Sequence, residues 1–285
     1  MQITFDTIRF DADNGKTIEI KTFSRNLEPE DHIIVLMPGW GCGEAGEYLP
    51  FIRSLLIGFA RATVLVPEFN KTTPQLTPIE LGNRFSYPNL HATQKQKQFV
   101  CEQLLGWAVR KYHPAKTFTV IGYSEGAIHA ILAAQKHRHV RQLELVLANP
   151  AGLAARAQIP MIFLRALRNS LHNLYARISN DSATRSRLAQ HRLSVRRYLK
   201  EYQGSGTAEG INAGQIDLRV EAETWATFQD TKIHLITSQD DAMIDLTPLQ
   251  NLVQRSPNSF DLKVIKGIHS TLFTHPYSIT EVLPK

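Results

Sequence analysis

The chain has 285 residues, a hydrophobic fraction of 43% and a formal net charge of +6, enough for one large domain with a sizeable core or two small ones. No apolar run reaches the ~18 residues that a spanning helix needs. Two cysteines, Cys42 and Cys101, supply neither a disulfide framework nor metal-ligand spacing, so no metal or other cofactor is expected.

The opening stretch, MQITFDTIRFDADNG, alternates apolar and polar residues as a strand does and lacks the continuous apolar core of a signal peptide. Together with the sparing use of cysteine, it points to a reducing, cytoplasmic location. Residues 2–10 and 17–23 flank Asn14-Gly15, a strong hairpin signal. Residues 33–37, IIVLM, form a short apolar run of the buried-strand kind. A Gly-rich turn, an amphipathic helix over 47–60 and a strand over 62–66 follow. Residues 67–90 hold four prolines and read as a long loop, of the sort that lines a pocket. A helix over 92–112, a strand over 117–121, a tight turn at 122–126, a helix over 125–137 and a strand over 143–147 continue the alternation.

From Leu153 to Tyr202 the pattern becomes helical and very basic. Ten arginines and lysines stand against Asp181 and Glu201, a local charge of +8 that exceeds that of the whole chain. Gly204–Gly214 reads as a Gly-rich loop closing this block. Strand-like runs return at 232–237 and 262–265, and a last short helix begins near Pro276. Alternating strands and helices imply an α/β fold with a mostly parallel sheet covered on both faces. The basic block, residues 151–215, reads as a helical cap inserted into a core formed by 1–150 and 216–285. Its place is over the C-terminal edge of the sheet, where ligands of such sheets bind.

Gly122-Tyr123-Ser124-Glu125-Gly126 matches G-x-S-x-G, directly after an apolar strand and directly before a helix. That context lifts the nucleophile above the sheet, and two glycines let strand and helix approach closely. The helix N-terminus then directs a backbone N–H at a developing oxyanion. On these residues the chain resembles the α/β-hydrolase family over nearly its whole length. The resemblance implies a mostly parallel sheet and a triad in the order Ser, acid, His.

Carried over, the nucleophile is Ser124. After the strand at 232–237 the family's Gly-x-x-Asp spacing falls on Asp241, with Ser238 in the glycine's place and Asp240 as the adjacent alternative. Gly267-Ile268-His269 follows the last strand and makes His269 the base, while His275 precedes the final helix. The resemblance assigns the oxyanion-binding N–H groups to Trp40 and Glu125. Pro38 replaces the usual histidine of the Trp40 loop, which leaves the bracing of that loop open. Glu125 puts a carboxylate beside the oxyanion, unfavourable unless it turns away or pairs with a cation.

A rival reading attaches to the same loop. Gly41-Cys42-Gly43-Glu44-Ala45-Gly46 is a G-x-G-x-x-G, with Glu68 near the position of a ribose-binding acid, as in a dinucleotide-dependent oxidoreductase. It leaves the elbow, Asp241 and His269 unexplained.

The favoured function is hydrolysis of an ester or thioester through an acyl-enzyme. A C–C bond hydrolase and a non-catalytic ligand receptor on the same fold are the alternatives. Phe163, Leu167, Leu171, Leu174 and Ile178 recur at helical spacing. The expectation is a cap helix laying this apolar face over the active site; contact with an anionic membrane surface is the sharper alternative. The substrate is then a small or lipid-like acyl compound. Nucleic acid is not expected, because the basic block lacks a recognition motif and aromatic interleaving.

Overall fold

The computed structural model describes residues 3–25, 31–42, 44–69, 90, 92–112, 116–140, 143–153, 159–179 and 203–284, with isolated positions between 180 and 202. Most of the expected loop at 67–90 and the later part of the basic block lie outside the described residues.

Strands β1 (Thr4–Asp11) and β2 (Thr17–Ser24) pair as an antiparallel hairpin. Its turn closes with Gly15 at φ 75°, the conformation that asks for glycine. Strands β3 (His32–Met37), β4 (Ala62–Pro67), β5 (Thr117–Tyr123), β6 (Leu143–Ala148), β7 (Ile233–Ser238) and β8 (Phe260–Ile265) follow in the chain. Among the described residues, the sheet runs β1-β2-β4-β3-β5-β6-β7-β8. Strand β2 is antiparallel to β4, and β4 through β8 pair in parallel. The chain reverses its direction of travel across the sheet after β4, so β3 and β5 become neighbours, and the crevice beside such a switch point is where ligands of these sheets sit.

The central strands are apolar on both faces because both are covered. Ile33, Val35, Phe118, Val120, Leu143 and Leu145 point to one core. Helices α2 (Ala92–Tyr112), α3 (Gly126–Lys136), α6 (Arg219–Gln229) and α7 (Leu246–Arg255) contribute to that core. Ile34, Leu36, Ile121 and Val146 point to the other, closed by α1 (Leu49–Gly58) and the short C-terminal helices α8 (Thr271–Thr274) and α9 (Pro276–Thr280). Helices α6 and α7 were not among the predicted elements.

Helices α4 (Ile159–Ser179) and α5 (Gln203–Ala213) stand between β6 and α6. The expected Gly-rich loop at 204–214 is therefore helical over most of its length. Glycine costs a helix about 1 kcal/mol per residue relative to alanine, and tertiary packing overrides that cost here. A Cβ on Gly210 would lie 3.2 Å from the Trp40 indole, so the bare backbone lets α5 seat against that ring. The expected laying of the α4 apolar face over the site is met only in part: Leu171 and Leu174 line the cavity that holds Ser124, but Leu167 and Leu171 are more than half exposed. Phe163 and Ile178 of that stripe lie outside the residues whose side chains are described.

Close approach governs the turn after β5. A Cβ on Gly122 would lie 2.6 Å from the Ala127 Cα, and one on Gly126 would overlap the Met37 carbonyl oxygen. Both contacts are with backbone, which cannot step aside cheaply. Gly126→Ala is expected to destabilise the fold by about 3 kcal/mol, measurable as a lowered urea midpoint; an unchanged midpoint would contradict this packing.

Candidate active site

Ser124 occupies the turn between β5 and α3 with φ 53°, a left-handed conformation costly for a residue bearing a Cβ. Three backbone hydrogen bonds hold it there. Its N–H donates to the Ala148 carbonyl at 2.9 Å, and its own carbonyl accepts from Ala127 N at 3.0 Å and Ala151 N at 3.1 Å. The hydroxyl is thereby fixed at the C-terminal edge of the sheet.

His269, in the loop between β8 and α8, places Nε2 3.0 Å from Ser124 Oγ. Its Nδ1 lies 2.8 Å from Asp241 Oδ2. A carboxylate only accepts, so Nδ1 carries the proton and Nε2 is left to accept from the serine hydroxyl. Asp241 is itself held: its Oδ1 accepts from the N–H groups of Met243 at 2.7 Å and Ile244 at 2.9 Å. The Asp241 side chain is 1% exposed and that of His269 11%. Asp240, one residue away, is exposed, and its N–H donates to the Gly267 carbonyl. Asp245 caps α7 through Thr247 N, and His275 is exposed ahead of α9.

Two further residues, one inside the motif and one outside it, orient this histidine. Tyr123 Oη donates to the His269 carbonyl at 2.7 Å, and Asn149 Nδ2 to the same oxygen at 2.8 Å. Burial pushes the Tyr123 phenol well up, so it remains a neutral donor. Asn149 sits at φ 45° after β6 and accepts from Ser238 N at 2.8 Å, tying three strand ends together. Sequence reasoning did not name Asn149; its local sign is the Asn149-Pro150 pair that follows β6.

The loop after β3 passes directly over the nucleophile. A Cβ on Gly39 would lie 3.1 Å from the Ser124 Cβ. Where Pro38 leaves the bracing open, fully buried Tyr48 supplies it, accepting from Gly39 N at 2.9 Å. Trp40 follows and lines the cavity beside Ser124, Glu125 and His269. Glu125 is the N-cap residue of α3, and the Ala127 and Ile128 N–H groups of that turn donate to the Ser124 and Glu125 carbonyls. Glu68 accepts from Ala45 N in the same loop, and residues 45–48 form a 3-10 turn rather than the α-helix start that a pyrophosphate needs.

The Glu125 carboxylate turns into the core, with its side chain 1% exposed, and meets Lys97 of α2 at 3.1 Å and Gln94 Nε2 at 2.9 Å. Lys97 also pairs with Glu209 of α5 at 2.8 Å. Burial alone would raise the Glu125 carboxyl, but the Lys97 charge and the hydrogen bonds from Lys97 and Gln94 hold it below its ordinary value. Burial and the neighbouring Glu125 push Glu209 up to about 8, against the pull of Lys97. One cation thus faces two carboxylates, and the second keeps its proton near neutrality. Burial brings His129, beneath them, down to about 4, so it stays neutral. Sequence reasoning saw the problem of Glu125 but not its partner, because Lys97 lies 28 residues away on another helix.

Above the serine lies a cavity of about 610 Å³. Trp40, Ile162, Val195, Ile216 and Met243 give it apolar walls, and Asn169, Asn173 and Arg165 add polar groups from α4. Among the described residues, the buried carboxamide oxygens of Asn169 and Asn173 have no hydrogen-bond partner. Arg165 reaches the acid loop, donating to the Met243 carbonyl at 3.4 Å and lying 3.6 Å from Asp245.

Ser124, His269 and Asp241 thus stand in one hydrogen-bonded line at the C-terminal edge of a doubly wound sheet. The α/β hydrolase fold model matches residues 43–276, and the chain belongs to that family. No curated protein matches the sequence significantly. Solved structures with the same fold include a bromoperoxidase from Bacillus anthracis. It shares 16% identity at a TM-score of 0.62, over 97% of each chain. A bacterial membrane phospholipase A shares 15% at 0.64, over 97% of this chain and 84% of its own. The 2-hydroxy-6-oxo-6-phenylhexa-2,4-dienoate hydrolase of Rhodococcus sp. strain RHA1 shares 12% at 0.58, over 96% and 95%. At these identities the likeness is one of fold.

The buried cluster gives a pH signature. Glu209 titrates near its ordinary 4.5 when unfolded and near 8 when folded. Its raised value favours the folded state fully below 4.5 and progressively less as pH rises towards 8. Glu209→Gln is therefore expected to flatten that decline in urea titrations across the window. Lys97→Met strands the charged Glu125 carboxylate, Glu209 being protonated near neutrality, and should cost about 3–5 kcal/mol at neutral pH, recovering as acid protonates Glu125. An unchanged stability in Lys97→Met would contradict the arrangement.

Proposed function

We propose that the protein is a serine hydrolase that cleaves a carboxylic ester or thioester through an acyl-enzyme. The observation that carries this reading is the unbroken Ser124–His269–Asp241 line, at 3.0 and 2.8 Å, opening on a single cavity. His269 Nε2 takes the hydroxyl proton as Ser124 Oγ attacks the substrate carbonyl. Asp241 holds the imidazole in the tautomer this requires and stabilises its charged form. The carbonyl oxygen becomes an oxyanion, for which the backbone N–H groups of Trp40 and Glu125 are the donors. Diverting the Glu125 carboxylate to Lys97 keeps a negative charge away from that oxyanion.

Collapse of the tetrahedral species expels the alcohol or thiol, which receives its proton from His269. A water molecule then attacks the acyl-Ser124 ester, His269 takes the water's proton, and the carboxylic acid leaves. Helices α4 and α5 serve as the cap, and the volume they enclose with the core suits an apolar acyl group of modest size, within the ~300–1,000 Å³ usual for small-molecule sites. The orphaned oxygens of Asn169 and Asn173 favour an acyl chain bearing a hydrogen-bond donor, since a wholly apolar chain would leave them unpaired.

A fluorophosphonate is expected to label the protein at Ser124, read by mass spectrometry, and Ser124→Ala to abolish both labelling and hydrolysis of nitrophenyl esters. Folded protein that resists the reagent would favour a ligand receptor. Asp241→Asn should lower kcat by about ten-thousand-fold, while Asp240→Asn leaves it near the parent value. Equal losses in the two variants would refute the assignment of the acid.

A further inference from the structure

Helix α4 is amphipathic in the opposite sense from an ordinary cap helix. Its polar Asn169 and Asn173 line the cavity together with Ile162 and Ala166, at the i, i+4, i+7, i+11 spacing of one helical face. Apart from Ile162, the large apolar side chains described on this helix are exposed, Leu171 and Leu174 while also lining the cavity. Leu164 is 56% exposed, Leu167 58%, Leu171 57% and Leu174 50%, with Met161 and Tyr175 also exposed. These six make up half of the twelve large hydrophobic side chains exposed among the described residues. Contiguous exposed apolar surface on this scale marks an interaction site.

The charge on the helix identifies the partner. Residues 159–179 contain Arg165, Arg168 and Arg177 and no carboxylate; Arg165 turns to the Met243 carbonyl and Asp245, while Arg168, next to Leu167, is exposed, and the block from Leu153 to Tyr202 carries +8 in a chain of +6. A second copy of the chain, meeting this face with its own, would bring arginine against arginine. An anionic lipid surface matches both features, since leucines enter the interface while arginines meet the headgroups. We propose that the outer face of α4 docks on anionic lipid membranes. Leu171 and Leu174 lie both on this stripe and at the edge of the cavity. Docking there would bring the mouth of the cavity to the interface, so an amphiphilic acyl substrate could pass from lipid to Ser124.

The test is co-sedimentation of the full chain with vesicles of equal parts phosphatidylserine and phosphatidylcholine, and with pure phosphatidylcholine. The parent protein is expected to bind the anionic vesicles at least tenfold more strongly, and to lose most of that preference between about 0.05 and 0.5 M salt. Leu164→Asp with Leu167→Asp, outside the cavity lining, should reduce binding at least tenfold. Their fluorophosphonate labelling and melting temperature should stay near the parent values, which shows that the fold persists. Leu167→Trp should show a blue-shifted emission with anionic vesicles and none with phosphatidylcholine.

Failure of the parent to bind anionic vesicles would overturn the proposal, as would full binding by the double Asp variant. A dimer dissociated by the same substitutions, without vesicle binding, would assign the face to a second copy instead. Ser124→Ala should bind vesicles as the parent does, so docking and acyl transfer can fail independently.

Discussion

The constraint on which the site depends is the left-handed turn at Ser124. A serine at φ 53° stores strain of about 1–3 kcal/mol, and the molecule holds it by surrounding it with rigid backbone. The carbonyl of Ala148 anchors its N–H, and the N–H groups of Ala127 and Ala151 anchor its carbonyl. Glycines at 122 and 126 let β5, α3 and the end of β3 crowd together at distances no side chain would allow. The Gly39 loop also comes close from above, where a Cβ would lie 3.1 Å from the Ser124 Cβ. The direction of one hydroxyl is therefore set by the packing of three strand ends.

The histidine and the acid are aligned with that hydroxyl by a second layer of contacts. Tyr123 and Asn149 converge on the His269 carbonyl, and Asn149 also fastens the start of the acid loop through Ser238. Beneath the turn, Lys97 joins Glu125 of the elbow to Glu209 of α5. A buried ion cluster is a weak source of stability but a strong source of registry. It ties a helix lining the cavity to the residue after the nucleophile.

Much of this was legible in the sequence, for physical reasons. Strands β3, β5 and β6 are short apolar runs bounded by breakers, and a central position in the sheet demands that pattern. Ser124, Asp241 and His269 could be named because each sits just past a strand, at the sheet edge where such groups must gather. Other parts were hidden because they depend on tertiary contacts. Nothing local in QGSGTAEGINA suggests a helix; Glu209 docking on Lys97 and Gly210 docking on Trp40 make it one. The bracing of the Trp40 loop by Tyr48 and the pairing of Glu125 with Lys97 join residues on separate elements, and periodicity carries no trace of them. The apolar stripe of α4 was visible, but the direction it faces was not, because helical periodicity shows that a stripe exists and not which neighbour it meets.

The most direct test of the account is a crystal structure of the protein phosphonylated at Ser124. The account predicts a phosphonyl oxygen about 2.7–3.1 Å from the backbone nitrogens of both Trp40 and Glu125, with His269 still within hydrogen-bonding distance of the Ser124 oxygen. An adduct whose oxygen points away from those two nitrogens, or one formed at a different residue, would contradict it.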